Sequence, residues 1–147
     1  MTDLITKHGG YENLKSFQMS EIVFDLTFEF CNRYIRSLKQ REQMEGAARG
    51  GKQNIAEGSS TSGTSKQSEL RLVEVARASL EELKNDYKDF LRTRNLDIWD
   101  KNDQRTLEIR KLGYMSNRAY ITYKPYLYNP ESAANCLLCL INQACFY

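Results

Sequence analysis

The sequence predicts an all-α fold, and three observations carry that reading. Only two prolines, Pro125 and Pro130, occur in 147 residues, so almost nothing interrupts a helix before residue 125. Apolar residues recur at steps of three and four along several segments, the spacing of one helix face. The apolar share of 41% and charged share of 27% suit a single globular domain with a real core.

Each element has its own signal. Residues 1–15 are polar and glycine-bearing and predict a flexible tail, leaving 16–147 as one domain. From about Phe17 to Leu38, one apolar stripe contains Val23, Leu26, Phe30 and Tyr34. A second contains Phe24, Phe28, Cys31 and Ile35. A helix on the outside of a small bundle needs only one such stripe, so a second contact surface is expected, such as a subunit interface. After the basic link "SLKQREQ", a second helix is expected to run to Glu57, with the small face Met44, Ala47, Ala48, Gly51 and Ile55 and with Gly58 as its C-terminal cap.

The third helix gives the clearest signal. Thr64 and Gln67 have capping-box spacing. Val73, Ala76, Leu80, Leu83, Tyr87 and Phe90 then form the seam of a helix bundle or coiled coil. Glu81, Glu82, Asp86 and Asp89, mixed with Lys84 and Lys88, would line its solvated flank. Residues 103–124 predict a further helix through Leu107, Ile109, Leu112, Tyr120 and Ile121, rich in tyrosine towards its exit. Asn129-Pro130-Glu131 is a strong helix start, and the last helix should bury Ala134, Leu137 or Leu138, Ile141 and Cys145. It reaches Tyr147 without a cap, which is expected of a chain truncated relative to a longer relative.

Two motifs suggest chemistry that their surroundings do not support. "GAARGGKQ" matches G-x-x-x-x-G-K through Gly46, Gly51 and Lys52, but Gln53 stands where magnesium needs a hydroxyl. No hydrophobic strand precedes it, so a nucleotide-hydrolysing loop is not expected. Cys136 and Cys139 form a C-x-x-C without a second pair, and His8 is the only histidine. Buried thiols on a helix face are the expectation, with no metal and no cofactor. The N-terminus lacks the pattern of a secretory signal, and no stretch approaches the ~18 apolar residues of a membrane span. A cytoplasmic location with reduced thiols is therefore expected.

"GAARGGKQNIAEGSS", followed by "ELRLVEVARASLEEL", resembles the four-helix-bundle family encoded by intervening sequences within bacterial 23S ribosomal RNA genes. The resemblance rests on Asn54, Ile55, Ala56, Glu57 and Gly58, and on Ala76, Ser79 and Glu82 in the next helix. Ala78 stands where that family often has glycine. The likeness covers roughly residues 14–95. It implies an antiparallel up-down four-helix bundle assembled as a homo-oligomeric ring, a pentamer, without enzymatic activity. Similar proteins include the accessory variability determinant of diversity-generating retroelements, which implies RNA or DNA and a reverse transcriptase as partners.

Asn54, Glu57, Ser79 and Glu82 would then lie on facing helices as a polar layer that fixes register, because polar groups between helices must find partners. An acid/base or metal role for Glu57 and Glu82 lacks a histidine or other convergent ligand. Asn54→Ala is expected to impair folding or assembly; an unchanged melting temperature and oligomer size would refute this.

Net charge is only +2, but it is unevenly distributed. Residues 33–52 hold Arg33, Arg36, Lys39, Arg41, Arg49 and Lys52 against two glutamates. Residues 101–124 hold Lys101, Arg105, Arg110, Lys111, Arg118 and Lys124 against one aspartate and one glutamate. Basic clusters beside tyrosines suit nucleic-acid backbones, with cations on phosphates and aromatic rings on exposed bases. The alternative is a scaffold that binds another protein.

Overall fold

The computed structural model describes residues 10–60, 66–115 and 119–146, which are helical with no strand among them. Four long helices, α1 (Gly10–Tyr34), α2 (Leu38–Ser60), α3 (Lys66–Thr93) and α6 (Pro130–Phe146), form a bundle. Between α3 and α6 lie α4 (Gln104–Leu112), the single turn α5 (Tyr120–Tyr123) and a 3-10 segment, Lys124–Tyr128. Each long helix packs on two others: α2 on α1 and α3, and α6 on α1 and α3.

The α2–α3 pair is antiparallel. Gln43 meets Asp86, Gly50 meets Ser79 and Gly58 meets Leu72, so contacts descend α3 as they ascend α2. Close approach is built into the sequence at two glycines. A Cβ on Gly50 would lie 2.7 Å from Ser79 Oγ, and one on Gly51 would lie 2.6 Å from Leu80 Cδ2. Met44, Ala47, Ala48, Gly51 and Ile55 are buried on that face, as their spacing predicts.

Helix ends depart from expectation in informative ways. α1 begins by Gly10, well before the expected start, and residues 1–9 of the expected tail lie outside the described residues. The link between α1 and α2 is shorter than expected because Ser37 starts α2, its hydroxyl accepting from the Gln40 amide at 3.2 Å. α2 does not stop at Gly58; it continues to Ser60, and Gly58 packs against α3 instead of turning the chain. Thr64 of the expected capping box lies outside the described residues.

At the other end of α3, Asn95 takes a positive φ of 56°. Its amide bonds to the Arg92 carbonyl, and that of Leu96 bonds to Leu91, which makes a Schellman cap with asparagine in the left-handed position.

The single helix expected over 103–124 is broken. Asp103 caps α4, its carboxylate accepting from the Arg105 amide at 2.9 Å. α4 stops at Gly113, where a side chain would collide with the Gln143 amide of α6, and Gln143 itself donates to the Arg110 carbonyl at 3.1 Å. Farther on, Pro125 has no N–H for an α-helical bond, and the chain tightens into the 3-10 segment. Of the apolar residues of this stretch, Ile109 is buried, whereas Leu107 and Ile121 are exposed.

Asn129 caps α6 as expected, accepting from the Ser132 amide at 2.8 Å. The helix is buried on every side from Ser132 to Ile141, because α1, α3, α4 and the 3-10 segment surround it. Ala134, Leu137, Leu138 and Ile141 are buried, and Cys145 is half-buried. Cys136 and Cys139 pack into this core, where burial pushes the Cys139 thiol up to about 11 and Cys136 well above its ordinary value. Thiols so disfavoured as thiolates are packing groups.

The seam of α3 is buried from Ala76 to Phe90, with Val73 half-buried above it. Phe30 stacks edge-on against both Tyr87 and Phe90, with ring centroids 4.9 Å apart in each pair. The wholly buried Tyr87 hydroxyl shares a 2.8 Å hydrogen bond with Thr27, which spares it an unsatisfied polar burial. No helix among the described residues is long and apolar enough to cross a membrane.

Candidate nucleic-acid interface

The two basic segments do not form two separate patches. Arg33 donates to the Leu127 carbonyl at 2.9 Å and lies 3.7 Å from Glu29, and Lys124 of the second segment reaches the same carboxylate at 3.7 Å. The Tyr120 hydroxyl also donates to Glu29, at 2.5 Å, and that bond pushes its pKa up to about 12. Glu29 thus gathers Arg33 and Lys124 and partly neutralises both. Arg41 is engaged with Asn32 and lies 4.0 Å from Glu45. Arg49 and Lys52 lie over the Phe24 ring, 5.4 and 4.6 Å from its centroid. Arg36 and Lys39 are exposed and make no ion pair among the described residues.

In the second segment, Arg105 is committed to structure. It bonds Asp103 at 2.9 and 3.0 Å, lies 3.7 Å from Glu131 and covers the Trp99 ring at 4.1 Å. These bonds hold the Asp103 carboxyl down at about 2. Arg110 and Lys111 are exposed, and Arg118 lies outside the described residues.

A groove of about 580 Å³ opens where α3, the segment 94–103, α4 and α6 meet. Lys84, Lys88, Lys101 and Arg110 line it, and no carboxylate does among the described residues. Lys84 is also paired with Glu81 at 3.8 Å. Ile98, Trp99, Tyr114 and Leu138 supply apolar and aromatic surface, and Asn142 and Gln143 supply amides.

Trp99 is held in place. Its backbone N–H donates to Asn135 Oδ1 at 2.8 Å and its indole to Glu131 at 2.9 Å, while Asn135 Nδ2 donates to the carbonyls of Asp97 and Glu131. Sequence reasoning placed Lys84 and Lys88 on an acidic solvated flank and passed over Trp99 and Asn135. The i,i+4 spacing of the two lysines was the available signal.

The glycine-rich stretch lies inside α2, and the family-like motif divides. Ile55, Gly58 and Ala76 are buried, Asn54, Ala56 and Ser79 are half-buried, and Glu57 and Glu82 are exposed. The Asn54 amide donates to the Gly50 carbonyl one turn back at 2.8 Å, within its own helix. Ser79 stands against Gly50 across the helix pair. Glu57 and Glu82 stand at the exposed side of the motif.

Fold and groove together define a helical bundle with a cationic, aromatic-lined cleft. No protein-family model matches the chain, and neither the curated proteins nor the solved structures hold a match.

Proposed function

We propose that this chain is a non-enzymatic nucleic-acid-binding bundle that works as an assembly of identical copies. One observation carries the reading: four basic side chains share a groove with aromatic surface and no carboxylate among the described residues. Phosphates supply the matching negative charge, and such contacts bring steep salt dependence with little sequence preference. The resemblance to the intervening-sequence family agrees with a role as a ribosomal-RNA intervening-sequence or retroelement accessory protein. A ring, fivefold in that family, would repeat the groove and multiply weak contacts. The half-buried Phe24 and Phe28, on the second stripe of α1, suit the subunit contact.

Anisotropy titration of labelled RNA and DNA strands tests the binding, and light scattering tests the assembly. Expected are binding of both polymers at low salt, its loss at raised salt, and a mass several times that of one chain. Absence of binding at low salt would overturn the nucleic-acid reading.

A second reading has its own support. The shallow depression on α1 combines Phe24 and Phe28 with the carboxylates of Asp25 and Glu29, which repel phosphate and suit a protein partner such as a reverse transcriptase. Co-purification of a protein without nucleic acid would favour that scaffold.

A further inference from the structure

The groove's composition narrows the kind of nucleic acid it fits, and this step rests on the nucleic-acid reading above. Cations alone would suit any polyanion. Here they stand beside side chains that a phosphate backbone does not satisfy. Tyr114 is 77% exposed and Ile98 49% exposed, large apolar surface left in water at the mouth of a charged cleft. Trp99 forms a fixed wall, since Arg105, Asn135 and Glu131 hold its ring and its backbone. The Asn142 and Gln143 amides offer both donors and acceptors, as base edges require.

A duplex keeps its base faces stacked inside and presents phosphates and groove edges, so it would leave these apolar walls wet. An unpaired nucleotide presents a phosphate and an open base face together. The volume of about 580 Å³ lies within the range of small-ligand clefts, enough for a nucleotide but far too small for a helix of DNA.

We propose that the groove seats unpaired nucleotides of a single strand. Lys84, Lys88, Lys101 and Arg110 hold the phosphates, and a base lies against Tyr114, Ile98 and Trp99. The same chemistry is carried by a free nucleotide, so the test must separate the two sources.

Trp99 is the only tryptophan, and its emission reports on the groove without a label. The protein is titrated with a single-stranded hexamer, a duplex of the same length and a nucleoside monophosphate, following Trp99 emission and anisotropy. Two variants are compared with it: Lys88→Glu with Arg110→Glu in the groove, and Arg36→Glu with Lys39→Glu at the α1–α2 end. All four residues are exposed and make no ion pair among the described residues. Expected is saturable change in Trp99 emission with the hexamer and binding of the duplex at least about tenfold weaker. The groove variant should lose about tenfold or more in affinity, and the end variant much less.

Equal binding of duplex and strand, or an unaffected groove variant, would overturn this inference while leaving nucleic-acid binding intact. Saturation by the monophosphate at the hexamer's concentration would assign the groove to a soluble nucleotide and overturn the strand. Failure of every ligand to bind would remove the nucleic-acid reading itself.

Discussion

Gly46 and Gly51 sit in one helix, yet substitution should act on them in opposite directions. A Cβ on Gly46 meets nothing within 4 Å, so Gly46→Ala should stabilise the protein by up to about 1 kcal/mol through helix propensity. A Cβ on Gly51 would lie 2.8 Å from Leu80 Cγ, and Leu80 is buried. Gly51→Ala should therefore cost about 1–3 kcal/mol through overpacking. Urea denaturation of the two variants checks the contrast, and shifts of the same sign would contradict it. Asp86 offers a second test. Burial raises its pKa despite the 2.9 Å hydrogen bond from Gln43. The native state therefore binds the proton more tightly than the unfolded chain. The cost of the charged form grows as pH rises from about 4 through the raised value and is complete above it. Asp86→Asn keeps an acceptor for Gln43, so its stability relative to the wild type should rise over that window. A difference independent of pH would remove this assignment.

At the scale of elements, what could be read from the sequence was what local chemistry decides. The α3 seam, the small face of α2 and the Asn129 cap of α6 each lie within a single helix, and periodicity or a capping side chain shows them. At the break after α4, Gly113 packs against Gln143, thirty positions away in sequence, a contact that no local pattern shows. The groove was hidden for the same reason. Two of its cations, Lys101 and Arg110, belong to the basic segment read from the sequence, but they meet Lys84 and Lys88 of α3 only in the fold. The Schellman cap at Asn95 and the Asn135 bonds fix the segment that carries Trp99. Asn135→Ala would leave the Trp99 amide and the Asp97 carbonyl without this partner, at an expected cost of about 1–2 kcal/mol. Red-shifted tryptophan emission should accompany it, and an unchanged spectrum and unfolding midpoint would count against the clamp.

For the whole molecule, a net charge of +2 gives little long-range attraction, so any hold on nucleic acid must come from local arrangement. Many basic side chains that looked available in the sequence are engaged within the chain: Arg33 and Lys124 on Glu29, Arg41 on Glu45, Arg105 on Asp103. The groove and the Arg36–Lys39 end are two places where exposed positive charge is left without an ion pair among the described residues, apart from Lys84, which pairs with Glu81. If a single strand occupies the groove, its release of counterions should count the four cations there. The most direct measurement is a titration of the intact protein with a short single-stranded oligonucleotide, read by Trp99 emission across a series of salt concentrations. A log–log slope of affinity against salt of about −3 is expected for four phosphate contacts on a single strand. A slope near zero, or no saturable change in Trp99 emission at the lowest salt, would contradict nucleic-acid binding in the groove.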